Sequence, residues 1–292
     1  HLAQDPTLIA ELRKEAAANR QLTHQNIVQL YDIYESPTEA PFLVMEFVEG
    51  ASLHTLRQPK ENKIYRWPEL RPILLQLCSA LDHAHGVQLI HRDLKPANIL
   101  IDLTGRVKLA DFGISASLAD AYVEPLGQRD TRGTVTFMSP QQMAGEPPVV
   151  ADDLYALGST LYELLTGEPP FHTGDLSHQV QAVPPQPIAA RLREKQIESD
   201  TPEPISQLII SCLEKDPAQR PASIRAIAHA VDPAAATQPL FITPPPATAR
   251  PTGRQTAASP RRKFSAEFYI VMALMAALLV IAAVTLWTVL KS

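Results

Sequence analysis

Cysteine is scarce in this chain of 292 residues, which contains only Cys78 and Cys212. With no disulfide or metal-binding spacing between them, the two residues exclude a disulfide framework and a cysteine-ligated zinc site. Each lies in an apolar helical pattern, so we expect both to be reduced core residues. No secretory signal peptide is visible at the start of the sequence. The hydrophobic content of 45% is enough for a sizeable core.

An excess of positive charge is absent from most of the chain. The net charge is −5, and residues 232–263 hold five basic residues against one acidic residue, a local net charge of +4. Residues 264–292 balance Glu267 against Lys291, so residues 1–231 carry −9. An acidic body of this kind argues against nucleic-acid binding. The basic stretch either attracts anionic lipid headgroups or serves only as a topology signal, and we favour the second interpretation.

Charged residues are missing altogether from residues 268–290, which consist mainly of Val, Met, Ala, Leu and Ile. An apolar run of this length spans the hydrocarbon core of a bilayer as a helix, and we prefer this to the alternative of a buried core helix. The basic cluster at residues 261–263 predicts that the preceding chain is cytoplasmic, although Lys291 is a weak opposing signal. Residues 232–263 are rich in proline, alanine and threonine, which predicts a disordered tether.

Apolar periodicity and breaker residues predict that the rest of the chain is folded and mostly helical. Two antiparallel strands are predicted from runs of β-branched and aromatic residues, over residues 27–34 and 42–47. Helices are predicted over residues 8–22, 68–86, 151–166, 204–214 and 221–231.

Two short motifs stand close together in the middle of the chain. Residues 91–100 read His-Arg-Asp-Leu-Lys-Pro-Ala-Asn-Ile-Leu, and residues 111–113 read Asp-Phe-Gly. They resemble the catalytic and magnesium-binding loops of eukaryotic-type protein kinases, and the whole chain is similar to the bacterial membrane-anchored serine/threonine members. A ten-residue match with a correctly placed second motif is hard to obtain by chance. The resemblance covers residues 1–231 and implies a bilobal α+β fold with a mostly helical C-lobe.

The resemblance implies roles for four polar side chains in phosphoryl transfer from ATP. Asp93 would accept or orient the proton of the attacking hydroxyl, and Lys95 would steady the transferring phosphoryl group. Asn98 and Asp111 would hold two Mg²⁺ ions, which favour hard oxygen ligands. The alternative, in which Asp93 is an ordinary loop carboxylate, does not account for Lys95 and Asn98 at the spacings of the family.

The same resemblance assigns the adenine site to the segment that follows the second predicted strand. Met45 would be the gatekeeper, and backbone groups of Glu46 and Val48 would hydrogen-bond the base. Leu100 would form the floor of the pocket.

Two acidic residues are assigned supporting roles by the resemblance. Glu15 lies nine residues before His24, where the family has a helix glutamate that pairs with a lysine on the third strand and so supports ATP binding. The alternative for Glu15 is an exposed helix charge. Asp153 is expected to brace the backbone of the catalytic loop and to have a structural role.

Further features concern the acceptor and its regulation. Lys95, and Thr134 in the run Gly-Thr-Val-Thr-Phe-Met-Ser-Pro, are typical of kinases that phosphorylate serine and threonine. Arg92 would pair with a phosphate on the activation segment. Thr131 and Thr136 are candidate acceptors of that phosphate, and the alternative is that they are ordinary loop residues.

The sequence departs from the family pattern at two positions. Gln141 replaces the glutamate that normally pairs with Arg220, so the buried guanidinium is expected to lose its counter-charge and the brace to weaken. Asn19 occupies a usually apolar position in a stack with Leu30, Phe112 and His91, so either it loosens that stack or the register assigned to this helix is wrong.

Neither a glycine-rich phosphate loop nor a Val-Ala-Ile-Lys-like strand occurs ahead of Glu15, so the first three strands of the smaller lobe are missing from this sequence. Because the chain begins with His1 rather than methionine, we expect a fragment of a longer reading frame. A kinase remnant that binds partners without catalysis is the alternative. Retention of Asp93, Asn98 and Asp111 favours catalysis, since a scaffold needs no metal ligands.

These observations predict a kinase domain with an incomplete N-lobe over residues 1–231, a proline-rich basic juxtamembrane linker over residues 232–263, and a transmembrane helix with a short tail over residues 264–292. The expected function is that of a single-pass membrane serine/threonine protein kinase with a cytoplasmic kinase domain. The alternative is a non-catalytic pseudokinase scaffold at the membrane. The expected partners are ATP, Mg²⁺, protein substrates and the bilayer, with a homodimer left open and nucleic acid excluded.

Overall fold

The computed structural model describes residues 6–34, 42–112 and 135–233. Within these residues, no helix is long and apolar enough to cross a membrane. The predicted membrane helix lies outside the described part of the chain, as do Thr131, Thr134 and all but the first two residues of the predicted linker.

In the part of the chain that the structure describes, the smaller part of the fold has one helix and two strands: α1 (Pro6–Arg20), β1 (Leu30–Tyr34) and β2 (Phe42–Met45). Proline suits the first turn of a helix because its missing N–H would have no partner there, which accounts for the start of α1. The two strands are antiparallel, with Leu30 opposite Met45. Ala16 of α1 is buried together with Leu30, so the helix packs on the sheet.

A second sheet contains the strand that follows the loop with Asp93 and the strand that leads to Asp111. It contains three antiparallel strands in the order β3 (Gly50–Ser52), β4 (Ile99–Asp102) and β5 (Val107–Leu109). Chain reversal between β4 and β5 follows from a turn in which Asp102 Oδ1 accepts hydrogen bonds from the N–H groups of Thr104 and Arg106.

The first predicted strand, residues 27–34, divides into two parts. Only its second half pairs with β2, whereas the chain around Ile27 bonds to β5. The N–H of Val28 donates to Leu109 O at 2.9 Å, and the N–H of Leu109 donates to Asn26 O at 2.8 Å. These bonds attach the smaller part of the fold to the strand that leads to Asp111.

The larger part of the fold is helical, as predicted. The predicted helices over residues 68–86, 151–166, 204–214 and 221–231 are confirmed, with ends shifted by at most three residues. The helices that the structure describes here are α2 (Leu53–Arg57), α3 (Trp67–Gly86), α4 (Pro140–Met143), α5 (Val150–Thr166), α6 (Leu176–Ala182), α7 (Ile188–Glu194), α8 (Glu203–Cys212) and α9 (Ile224–Val231).

Helix α5 lies at the centre of the core, and every residue from Asp152 to Thr166 is buried. Its crossing with α8 is close, because a Cβ atom on Gly158 would lie 2.6 Å from the Cβ of Cys212. Cys78 and Cys212 are free, buried thiols, and burial raises the pKa of Cys212 to about 12. The prediction that both cysteines are core residues is confirmed.

Arg220 is a buried cation, 5% exposed, whose guanidinium is held by neutral oxygen atoms. Its Nη2 donates to Gln141 Oε1 at 2.7 Å, its Nη1 to Ala151 O at 2.8 Å, and its Nε to Glu214 O at 2.8 Å. Burial lowers the pKa of Arg220, and the carboxylate of Asp152 acts in the opposite direction. The brace predicted for this position is therefore present, without a direct counter-charge at Gln141.

Gln141→Glu is expected to raise the free energy of unfolding by about 1 kcal/mol, because a charge-assisted hydrogen bond to Arg220 replaces a neutral one. Part of the gain is lost, since glutamate cannot donate to Lys215 O as Gln141 Nε2 does at 3.0 Å. Urea unfolding followed by circular dichroism measures the change. Gln219→Glu adds the same charge at an exposed position and should alter stability by less than about 0.5 kcal/mol. If Gln141→Glu lowers the free energy of unfolding and Gln219→Glu does not, the loss of the hydrogen bond to Lys215 O outweighs the effect of the added charge.

Candidate active site

A buried carboxylate holds the loop that carries the predicted catalytic residues. Asp153, fully buried in α5, accepts hydrogen bonds from the N–H of His91 at 2.8 Å and from the N–H of Arg92 at 3.0 Å. His85 Nε2 lies 2.7 Å from the same carboxylate. The loop needs this support because Arg92 has a φ of 68°, a conformation that is strained for a residue with a side chain. The predicted bracing role of Asp153 is confirmed.

Asp93, Lys95 and Asn98 form one hydrogen-bonded cluster. Lys95 Nζ lies 2.9 Å from Oδ1 and 2.8 Å from Oδ2 of Asp93. The Asn98 amide donates to Asp93 Oδ2 at 3.0 Å and to Asp93 O at 2.8 Å, because a short 3-10 helix over Pro96–Asn98 turns it back toward Asp93. With Nδ2 engaged in this way, the amide oxygen Oδ1 is the atom of Asn98 that can coordinate a cation.

Asp111 follows β5, and the chain just before it is hydrogen-bonded to the backbone of Asn98. The N–H of the residue before Asp111 donates to Asn98 O at 2.9 Å, and Asp111 itself has a φ of 62°. Burial raises the pKa of Asp111, an effect that His91 opposes and that the Asp93 carboxylate reinforces. A carboxylate that is poorly solvated and close to a second carboxylate is stabilised by a bound cation.

The predicted ligands Asn98 and Asp111 do not make a metal site built entirely from protein side chains, but they suit magnesium. In the part of the chain that the structure describes, no group of three His, Cys, Asp or Glu side chains could hold a metal ion. Mg²⁺ does not require one, since it commonly takes one or two carboxylates and completes its shell with waters and substrate phosphates. The oxygen donors therefore fit Mg²⁺.

Phe112 connects the site to helix α1. Its ring is buried against His91, with the two ring centroids 4.5 Å apart. Asn19, 7% exposed, donates from Nδ2 to Phe112 O and to Glu15 O, both at 3.0 Å. Asn19 therefore lies at this stack, as the assigned helix register predicts, and its amide supplies two hydrogen bonds in place of an apolar contact.

Glu15 forms an ion pair with the catalytic loop. Arg92 Nη1 lies 3.2 Å from Glu15 Oε1, and the two side chains are 36% and 22% exposed. The resemblance assigns Glu15 to a strand lysine and Arg92 to a phosphate, so the observed pair differs from both predictions. A partly exposed pair of this kind contributes about 0–1 kcal/mol. A strand lysine at Glu15, or a phosphate at Arg92, can therefore replace this ion pair at a small cost in free energy.

The segment predicted to bind adenine joins the two sheets. Met45 ends β2, and residues 46–49 lead from it to β3. Glu46 anchors the segment, since its carboxylate lies 2.7 Å from Lys108 Nζ on β5. Leu100, the predicted floor of the pocket, lies opposite Lys108 in the β4–β5 register. Met45 and Glu46 thus lie at and just after the end of β2, whereas Leu100 lies on β4, the central strand of the second sheet.

Lys108 is a site residue that sequence reasoning missed. It pairs with Glu46 across 62 positions of the chain, and its side chain is only 12% exposed. The available signal was a charged residue between Val107 and Leu109 in an apolar strand, since a buried lysine is almost always paired. That signal predicts that Lys108 has an ion-pair partner, but it does not identify Glu46 as the partner.

Thr136, one of the two candidate phosphate acceptors, is 7% exposed. Its carbonyl accepts a hydrogen bond from Ser159 Oγ at 2.9 Å, which fixes the backbone against α5. A buried threonine is not presented to an incoming kinase, so the structure corrects the assignment of Thr136. Thr131, the other candidate, lies outside the described residues.

Comparison with known proteins identifies similar sequences over most of the chain. The family model of the protein kinase domain matches residues 3–231. Serine/threonine-protein kinase PknB of Mycobacterium tuberculosis is 37% identical over 225 residues, which are 75% of this chain and 35% of the relative. A probable serine/threonine-protein kinase PknB of Corynebacterium glutamicum is 39% identical over 173 residues, which are 58% of this chain and 26% of the relative. The chain thus spans about a third or less of the length of these relatives.

Solved structures show the same relationship at the level of the fold. The kinase domain of Mycobacterium tuberculosis PknI superposes with a TM-score of 0.61 and 25% identity, covering 80% of this chain and 81% of that domain. The observed arrangement of a helical larger part with few strands in the smaller part is therefore a protein-kinase-like fold.

Asn19→Asp is expected to lower the free energy of unfolding by about 2 kcal/mol, because a carboxylate cannot donate to Phe112 O and repels it. Urea unfolding of the two proteins measures the difference. Asn62→Asp makes the same change at an exposed position and serves as the matched control. Equal stability of the two variants would mean that the bond to Phe112 contributes nothing.

Proposed function

Because this chain belongs to the protein kinase family, we propose that it transfers the γ-phosphate of ATP to serine and threonine hydroxyls of protein substrates. The observation that carries this proposal is the cluster of Asp93, Lys95 and Asn98, in which an ammonium at 2.8 Å and an amide at 3.0 Å hold one carboxylate. Phosphoryl transfer depends on a positioned nucleophile and on stabilisation of charge, and this cluster supplies groups for both.

Each member of the cluster has a distinct proposed role. Asp93 orients the acceptor hydroxyl and receives its proton, while Lys95 neutralises charge on the phosphoryl group. Asn98 Oδ1 and the Asp111 carboxylate are the proposed ligands of Mg²⁺, which would neutralise phosphate charge when bound. The hydrogen bonds that Asp153 accepts from the loop backbone hold these groups in position.

The adenine base of ATP is proposed to bind where the two sheets adjoin. Backbone groups of Glu46 and Val48 are the proposed hydrogen-bonding partners, with Met45 as the gatekeeper and Leu100 as the floor. The ion pair between Glu46 and Lys108 supports this proposal, because it restrains the segment that presents the backbone groups. Restraint of this kind lowers the entropic cost of binding.

Specificity for serine and threonine is supported by the family resemblance at Lys95 and Thr134. The names of the relatives, which describe serine/threonine-protein kinases, support the same class of acceptor. Glu15 remains the proposed partner of a strand lysine during ATP binding, a role in which it would exchange its contact with Arg92.

Membrane attachment is a further part of the proposal. Residues 264–292 would anchor the kinase domain, with residues 232–263 as a tether. The uncharged run of residues 268–290 supports the anchor, and the basic cluster at residues 261–263 supports a cytoplasmic kinase domain.

The 292-residue polypeptide alone is expected to show no appreciable phosphotransfer, because its sequence supplies neither a glycine-rich phosphate loop nor a strand lysine for Glu15. A chimera that carries the first three strands of the PknB kinase domain ahead of Pro6 is expected to gain Mg²⁺-dependent transfer from radiolabelled ATP to casein. Asp93→Asn in the same chimera is the matched control and should lower the rate at least ~100-fold. Phosphoamino-acid analysis of the product reports the acceptor.

The outcomes separate the candidate functions. A folded chimera without transfer would contradict the kinase proposal and favour the pseudokinase scaffold. Transfer that survives Asp93→Asn would refute the role of Asp93, and phosphotyrosine in the product would refute the acceptor class. Strong Asp93-dependent transfer by the 292-residue polypeptide would show that this reaction does not need the absent strands.

A further inference from the structure

Asp111, the proposed metal ligand, has a backbone conformation that its neighbours must maintain. Its φ of 62° lies in the left-handed region, which is uncommon for a residue with a side chain. The chain before it is fixed by the larger part of the fold, since Ala110 donates its N–H to Asn98 O at 2.9 Å and His91 Nε2 lies 2.9 Å from Ala110 O. The orientation of the Asp111 carboxylate therefore depends on what fixes the chain after it.

Asn19 of α1 provides that second point of attachment. Its Nδ2 lies 3.0 Å from Phe112 O and 3.0 Å from Glu15 O. Both partners are carbonyl oxygens, which only accept hydrogen bonds, so the two hydrogens of one amide nitrogen join α1 to the residue that follows Asp111. Asn19 is 7% exposed, and a hydrogen bond shielded from water is costly to leave unmade.

An apolar side chain at position 19 cannot replace this bond. A leucine has no donor, so Phe112 O would lose the hydrogen bond that it accepts from Asn19. The Phe112 ring would keep its contact with His91, whose ring centroid lies 4.5 Å away. Ring contacts occur over centroid separations of roughly 4.5–7 Å, whereas hydrogen bonds weaken steeply as their angle departs from linearity. The bond from Asn19 therefore restrains the backbone beside Asp111 more closely than the ring contact does.

We propose that Asn19 is a positioning residue for divalent-cation binding, which holds the backbone of Phe112 and thereby the orientation in which the Asp111 carboxylate meets Mg²⁺. The inference rests on the proposed function, in which Asp111 is a ligand of Mg²⁺. Groups that orient a metal ligand from outside the coordination shell alter metal affinity by roughly 10–100-fold. Asn19 acts through the backbone and not on the carboxylate itself, so we expect an effect of ~10-fold, at the lower end of this range.

Binding of Mn²⁺, a paramagnetic substitute for Mg²⁺, tests the proposal on the folded 292-residue protein without any phosphotransfer. Electron paramagnetic resonance of free Mn²⁺ gives the dissociation constant at neutral pH. Asp111→Asn removes the charge of the ligand and defines the background from other carboxylates. Above that background, Asn19→Leu is expected to weaken Mn²⁺ binding ~10-fold, because Phe112 O loses its donor.

Three further variants separate the cause of this loss. Asn19→Gln keeps an amide donor on a longer side chain and is expected to bind Mn²⁺ at least ~3-fold more tightly than Asn19→Leu. Gln21→Leu replaces an amide by leucine at an exposed position just after α1 and should leave the affinity unchanged. Ile227→Val removes a buried methyl group from α9, so it lowers stability without touching the site.

Circular dichroism verifies that each variant folds. If Asn19→Leu does not fold, Asn19→Met takes its place, since methionine lacks the donor and adapts its shape to the available space. Equal Mn²⁺ affinities with and without the donor at position 19, while Asp111→Asn still weakens binding, would overturn the role of Asn19 alone. An equal loss of affinity in Ile227→Val would overturn it as well, because lower stability would then be the cause.

The measurement also separates this inference from the proposed function on which it rests. Unchanged Mn²⁺ binding in Asp111→Asn would overturn the proposed ligand, and the role of Asn19 with it. A ~10-fold loss in Asn19→Leu that Asn19→Gln partly restores supports the positioning role. That result does not depend on whether phosphate is transferred, so a failure of the kinase proposal and a failure of the role of Asn19 are distinct outcomes.

Discussion

Asp153 places a buried carboxylate beneath the loop that carries Asp93, and contacts from two segments converge on it. The backbone N–H groups of His91 and Arg92 donate to its two oxygens, and the ring of His85 contacts it from α3. Buried from water, these bonds are stronger than exposed ones, and leaving any of the groups unsatisfied is costly. The strained backbone of Arg92 is held in this way, so the residues that follow it begin from a defined position.

From this loop, polar contacts extend toward the smaller part of the fold along two routes. One leads to α1, through the ion pair of Arg92 with Glu15 and the hydrogen bond of Asn19 to Phe112 O. The other runs along β5 to the ion pair of Lys108 with Glu46, in the segment proposed to bind adenine. The first route includes a partly exposed pair of low energy, whereas the lysine of the second is mostly buried. The α1 route is therefore the one that can change partners at small cost, as the proposed function of Glu15 requires.

Patterns of neighbouring residues in the sequence predicted the features of the structure that depend mainly on neighbouring residues. Helices α3 and α5 follow from apolar periodicity, and the roles expected of the motif residues follow from their resemblance to the protein kinase loops. The division of residues 27–34 between two sheets was missed, because the bonds of Asn26 and Val28 go to Leu109, far along the chain. Pairs such as Glu15 with Arg92 were missed for the same reason: 77 positions separate the partners, and no local pattern specifies which charges meet.

Gln141 illustrates how far the effect of one uncharged side chain reaches. In the sequence it is a single departure opposite Arg220, and it suggests only a weaker brace. In the structure its amide touches both Arg220 and the backbone of Lys215, 74 positions away, so one residue contacts the surroundings of two cations. Arginine keeps its proton under almost any condition, so the guanidinium stays charged without a carboxylate at position 141. The missing carboxylate therefore leaves Arg220 charged, and neutral oxygen atoms of Gln141, Ala151 and Glu214 hold the guanidinium instead.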